Sequence, residues 1–137
     1  MADWVLDQKL ADDSIFVADW PLSQLRLIND SRFPWLVLVP RVSNIEEIFQ
    51  LSSYDQQRLL QESSHLAKAL SDLFKADKMN VAALGNVVRQ LHVHHIVRYV
   101  GDCCYPSPVW GVGEAVSYTE QELRLCLEML HDSLAVI

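Results

Sequence analysis

Apolar and polar positions along this chain change period several times, and each period predicts an element. Between 53 and 74, Leu59, Leu60, Leu66, Ala67, Leu70, Leu73 and Phe74 recur every three or four residues, one face of a helix about six turns long. Residues 15–19 and 22–28, on either side of Pro21, read as strands; the second alternates Leu22, Gln24, Arg26 and Ile28 with Ser23, Leu25 and Leu27. Asn29-Asp30-Ser31 then supplies turn chemistry. The run Trp35-Leu-Val-Leu-Val39, closed by Pro40, has the length and β-branched content of a strand buried on both faces. Strands over 79–84 and 91–99 flank a loop at Gly85-Asn86, where a sharp turn favours glycine. A capping box from Thr119 to Glu122 opens a last helix with the stripe Leu123, Cys126, Leu127 and Leu130. Residues 3–12, with Trp4, Leu6 and Leu10 among acids, predict a short N-terminal helix. One long helix between two groups of strands predicts an α+β fold on an antiparallel sheet.

The 137 residues, half of them apolar and without repeats or Gly/Ser/Pro linkers, suit a single domain over 1–137 with one core. The longest apolar run is far shorter than the ~20 residues of a membrane span, and the acidic start lacks the basic region of a signal peptide. Three cysteines, two of them adjacent (Cys103 and Cys104) and none in a CxxC, suggest neither a disulfide framework nor a zinc ribbon. These features predict a cytoplasmic protein without a membrane partner. The net charge of −7 is uneven: residues 1–19 carry one lysine against five aspartates, residues 99–137 one arginine against six acids, and the middle nine bases against seven acids. Acidic ends repel nucleic acid, yet the middle can accept a small phosphate ligand.

Chemistry concentrates in Gly85-Asn-Val-Val-Arg-Gln-Leu-His-Val-His-His-Ile-Val-Arg98. Read as a strand, it puts Gln90, His92, His94 and Ile96 on one side, with neighbouring imidazoles about 7 Å apart. On spacing alone three readings stay open. The row is inert and exposed; or it shares a metal, although the other histidines, His65 and His131, lie far off in the chain; or an imidazole does nucleophilic or acid–base work.

The pattern Gln90-Leu-His92-Val-His94-His-Ile resembles the His-φ-His-φ-His-φ-φ signature of the histidine triad (HIT) superfamily of nucleotide hydrolases and transferases. Leu27-Ile-Asn29, Phe33-Pro34-Trp35-Leu-Val-Leu-Val-Pro40-Arg41, the long helix and Met79-Asn80-Val follow the family's order, and Pro108-Val-Trp-Gly111 is similar to the ending of a bacterial branch. The resemblance implies an antiparallel sheet of about five strands with one long helix and a C-terminal helix. It implies that His92 is the nucleophile that attacks the α-phosphorus to form a nucleotidyl-histidine, which water resolves. His94 would hydrogen-bond phosphate or bridging oxygens, Asn29 would hold ribose hydroxyls, and Asn80 would stand near the phosphates. Gly85 would let main chain approach the phosphate, and Asn86 replaces the usual loop glutamine.

Two departures stand out. Gln90 occupies the first triad position and Trp35 the place of a fourth, supporting histidine. A glutamine amide can orient without titrating, so Gln90 is expected to support the nucleophile by hydrogen bonding. His95, on the opposite face, is expected to pack in a core or interface. The resemblance implies a nucleotide hydrolase or transferase that needs no metal or cofactor and acts on a nucleoside phosphoramidate or dinucleotide polyphosphate. The alternative is a nucleotide-binding regulatory module with little turnover. It also implies a homodimer, formed here through the 91–97 strand and the 53–74 helix. The aromatic stretch with Tyr105, Pro108 and Trp110 is expected beside a pocket or partner chain.

Overall fold

A computed structural model describes residues 3–134. The elements run α1 (Gln8–Asp13), β1 (Ser14–Asp19), β2 (Ser23–Ile28), β3 (Trp35–Pro40), a 3-10 turn (Ile48–Gln50), α2 (Ser53–Phe74), β4 (Lys78–Ala82), β5 (Val93–Arg98) and α3 (Glu120–Ser133). The sheet has the order β1-β2-β3-β5-β4 and every neighbouring pair is antiparallel. This is the expected α+β architecture. The chain leaves β3, crosses through α2 to the far edge at β4, and returns along β5 into the slot between them.

Helix α2 begins where Ser52 accepts a hydrogen bond from the Asp55 amide at 3.1 Å and ends at Lys75, which is left-handed. Its buried stripe is Leu59, Glu62, Leu66 and Leu70. Full burial of each leucine contributes about 1.5–3 kcal/mol. Glu62 sits in this apolar stripe because one carboxylate oxygen accepts from the Leu22 amide at 2.8 Å, tying helix to sheet. The other oxygen has no partner among the described residues. Helix α3 keeps the capping box of Thr119 and Glu122 and seats Leu130 in the same core.

All six residues of β3 are buried, as its composition predicts. Leu36 and Leu38 join the core shared with α2 and α3, whereas Val37 and Val39 meet Leu10 and Val88 on the opposite face. Strand β5 divides likewise: Val93 and Val97 face the helices, and Ile96 meets Phe33, Trp35 and Val109. The histidines inherit this alternation. His95, paired in register with Leu36, is wholly buried, its Nε2 2.7 Å from the Ser63 hydroxyl of α2 and its Nδ1 3.0 Å from the Val93 carbonyl. His94, paired with Val37, turns the other way.

Three expectations change. The N-terminal helix starts at Gln8 rather than at 3, because Asp7 caps it by accepting from the Lys9 and Leu10 amides. Strand β5 starts at Val93 rather than at 91, so Gln90 and His92 belong to the preceding loop, where the Leu91 amide bonds to the Ile45 carbonyl at 2.9 Å. Lying between β3 and β4, β5 is buried at all six positions and offers no surface to another chain. Among the described residues no helix is long and apolar enough to cross a membrane.

Candidate active site

His92 lines a cleft of about 210 Å³ together with Gly85, Asn86, Arg89, Gln90, Glu46 and Glu47. Its Nδ1 lies 2.8 Å from the main-chain carbonyl of Gln90. A carbonyl only accepts, so Nδ1 carries the proton and Nε2 keeps its lone pair. Nε2 has no hydrogen-bond partner among the described residues. Gly85 explains the close fit of the loop: a Cβ there would stand 2.5 Å from the Val88 carbonyl oxygen and 3.4 Å from His92 Cε1. Only glycine lets the loop close against the ring.

His94 stands behind His92, the two rings 4.8 Å apart edge to face. The indole Nε1–H of Trp35 donates to His94 Nδ1 at 3.0 Å, and His94 Nε2 lies 3.1 Å from the Leu84 carbonyl. The indole can only donate, so the proton of His94 sits on Nε2 and is given to Leu84. Both ring nitrogens are thereby engaged. Burial, opposed by the bond to Leu84, lowers its pKa from the ordinary histidine value to about 4, so the ring is neutral at pH 7. His95 is lowered to about 4 for the same leading reason.

Gln90 does not hold His92 through its side-chain amide. Its Oε1 accepts from the Asp7 amide at 2.8 Å and its Nε2 donates to the Val5 carbonyl at 2.9 Å. The hydrogen bond to His92 comes instead from the main chain of Gln90, which any residue supplies.

The remaining expected site residues are dispersed. Gly85 and Asn86 line the His92 cleft, but Asn29 lines a separate cavity of about 490 Å³ with Asp30, Arg32, Trp35 and Trp110. Trp35 lines part of the Asn29 cavity and bonds to His94, whose ring meets that of His92. Asn29 Oδ1 accepts from the Tyr118 amide at 2.9 Å, leaving its amide nitrogen as the donor. Asn80 accepts from the Arg98 guanidinium at 2.9 Å and does not reach the His92 cleft. Arg98 is itself held by both oxygens of Asp102, at 2.9 and 3.1 Å, between the rings of Phe33 and Tyr105.

Trp110, from the aromatic stretch expected beside a pocket, lines the Asn29 cavity, and its ring stands 5.1 Å from His94 and 5.9 Å from Trp35, a contact that sequence reasoning did not assign. Its only signal was an aromatic residue in a Pro/Gly-rich stretch. The Leu84 carbonyl left no signal at all. Among the described residues no three His, Cys, Asp or Glu side chains gather so as to hold a metal ion.

Comparison with known proteins gives a consistent result. The family model of the HIT domain matches residues 9–101. A histidine triad protein from Marinobacter aquaeolei VT8 is 48% identical with a TM-score of 0.95, the match covering 97% of each chain. One from Sinorhizobium meliloti 1021 is 44% identical with a TM-score of 0.93, covering 96% of this chain and 97% of that one. One from Bradyrhizobium japonicum is 40% identical with a TM-score of 0.95, covering 98% of this chain and all of that one. No curated protein matched. On the family match and these three structures, this chain belongs to the HIT domain family of histidine triad proteins.

Proposed function

We propose that the protein is a nucleotide hydrolase or transferase of the histidine triad type, acting at the α-phosphate of a nucleoside phosphoramidate or dinucleotide polyphosphate. The observation that carries this reading is the fixed tautomer of His92: Nδ1–H is held by the Gln90 carbonyl, so the lone pair is on Nε2 of a ring that lines a cleft. That lone pair attacks the α-phosphorus while the bond to the leaving group breaks; the leaving group departs with the electron pair and takes up a proton from solvent water. The ring becomes cationic as the new N–P bond forms, and its Nδ1–H bond to the carbonyl strengthens with that charge. Water then adds to phosphorus, loses a proton and displaces the imidazole, giving the nucleoside monophosphate and restoring neutral His92. A phosphate or sugar phosphate in place of water makes the same sequence a transfer. Gly85, Asn86 and the loop amides are the proposed phosphate contacts. Asn29, in the wall of the 490 Å³ cavity, is proposed to contact the ribose.

One observation favours a second reading, a nucleotide-binding regulatory module. Both nitrogens of His94 are already engaged, so the third triad position has no free donor for a leaving group. One experiment separates the two. Wild type and His92→Ala are incubated with adenosine phosphoramidate and with diadenosine polyphosphates, and quenched reactions are analysed by mass spectrometry. The enzyme reading expects turnover lost in His92→Ala and a nucleotidyl mass on the wild-type peptide spanning 90–98. Binding without turnover in either protein establishes the regulatory module instead.

A homodimer in the cytoplasm completes the proposal. Strand β4 is a sheet edge with one unpaired side, and beside it Leu60, Val81 and Ile48 line an apolar groove of about 560 Å³ against α2. Light scattering at tens of micromolar should give twice the 15.6 kDa of the chain. The three cysteines are free, in keeping with a reducing compartment.

A further inference from the structure

Gln90 touches two things at once. Its carbonyl holds His92, and its side-chain amide grips the main chain on both sides of Leu6, accepting from Asp7 N–H and donating to Val5 C=O. This two-point grip is what a neighbouring strand would offer, and it depends on a carboxamide of this length. Glutamate would set an oxygen against the Val5 carbonyl. A neutral imidazole has its donor and acceptor on opposite sides of the ring and cannot address one peptide segment with both. The segment so gripped is anchored independently by Trp4 and Leu6, which pack against Leu10, Val37, Val39 and Val88. Together with residues 43–46, Asp3, Trp4 and Val5 line an open groove of about 440 Å³ that shares Glu46 and Gln90 with the His92 cleft. The Asn29 cavity opens elsewhere, beyond Trp35, and shares none of these residues.

We propose that Gln90 is a positioning and specificity residue that acts through the N-terminal segment: by hooking residues 5–7 to the histidine motif, it builds the wall of a subsite for the group that leaves the α-phosphate. This rests on the hydrolase reading above, with the nucleoside in the Asn29 cavity and the leaving group on the opposite flank of the histidines. A subsite of this volume accommodates an organic group of about ten heavy atoms or more, so the enzyme discriminates by the size and shape of the amine or alcohol expelled. The first triad position thus serves substrate choice, and the nucleophile keeps its support from the carbonyl.

The test uses one nucleoside 5′-phosphoramidate with three leaving amines, namely ammonia, butylamine and an arylethylamine, against wild type, Gln90→Ala, Gln90→Glu and Gln90→His. In wild type the arylethylamine compound is expected to have a kcat/KM at least fivefold above the ammonia compound, carried mainly in KM. All three variants should bring that ratio close to one, while the pH profile of each substrate keeps the wild-type midpoints. Hydrogen exchange at the Asp7 amide should quicken at least tenfold in Gln90→Ala, showing that the hook has been released in a folded protein. A ratio unmoved by a released hook overturns the proposal, as does an equal fall in kcat for all three amines with shifted pH midpoints. Should wild type turn over none of the three, the hydrolase reading falls on its own. The subsite is then read by calorimetry with nucleoside alkylphosphonates of matching size. Tighter binding of the larger groups that is lost in Gln90→Ala supports it, and size-independent binding overturns it.

Discussion

Lowering the pH from 7 to 5 should cost this protein much of its stability through two residues. His94 and His95 are both buried, with pKa values lowered to about 4, chiefly by burial. Unfolded, each imidazole titrates near 6.5. A lowered folded value means that the unfolded chain binds more protons between these limits, so the stabilisation is complete above about pH 6.5 and is lost as the pH falls towards 4. At pH 5 an unfolded imidazole is almost fully protonated and a folded one about a tenth so. Linkage then gives a loss of about 2 kcal/mol per ring, or about 4 kcal/mol for the pair. With a urea slope of roughly 2 kcal/mol per molar for a domain of this size, the unfolding midpoint should drop by about 2 M. Tryptophan fluorescence in urea at the two pH values measures the shift, and His95→Asn should reduce it by about half. Imidazole resonances supply the direct check, because both rings should stay neutral from pH 8 to 5. Were either to titrate with a midpoint near 6.5, or the urea midpoint to hold still, the assignment of burial as the controlling force would be wrong.

Trp35→Phe removes the donor to His94 Nδ1 and leaves a buried acceptor unpaired; we expect a stability loss of about 1–3 kcal/mol in thermal unfolding and a higher His94 pKa by NMR titration. Gly85→Ala places a Cβ 2.5 Å from the Val88 carbonyl oxygen and pushes the loop off the His92 ring. Its proposed hydrolysis should fall ten- to a hundredfold, about 1.4–2.8 kcal/mol, with circular dichroism unchanged. Asp102→Asn breaks the buried, two-point pair with Arg98 and should cost about 3–5 kcal/mol in urea. The Arg98 guanidinium holds the Asp102 carboxyl well below the usual carboxylate range. Its stabilisation is therefore present above about pH 4 and fades as the pH falls further, and the variant should lack that part of the acid sensitivity.

Helix α2 was legible because its signal is local: Leu59, Leu66 and Leu70, which recur at helical spacing in the sequence, are the leucines that the helix buries. Strand β3 was legible from composition alone. Misreadings arose where a distant partner overrode a local pattern. The alternation through Gln90-Leu91-His92 continues that of β5, but the Leu91 amide is taken by Ile45 and the Gln90 amide by residues 5 and 7. Leu6 has helical spacing with Leu10, yet Asp7 captures the amides that would have continued the helix. In the site, the motif singled out His92 and Gly85, which stand together at one cleft. The Trp35 bond to His94 spans 59 positions, and the capture of Asn80 by Arg98 spans 18, so neither has a local signature.

That the His92 and His94 tautomers rest on the carbonyls of Gln90 and Leu84 bears on how such a site drifts over generations. A peptide carbonyl is rebuilt by every codon except one that alters the path of the chain, so selection on the orientation of the His92 ring acts on the backbone and hardly at all on the identity of residue 90. The letter at that position is released to record other pressures, and lineages that differ there can share one chemistry. A search that demands three histidines by name therefore discards sequences whose ring at position 92 is held just as firmly. A designer transplanting this ring into a new scaffold should copy the course of the loop from 84 to 92 before copying any side chain around it.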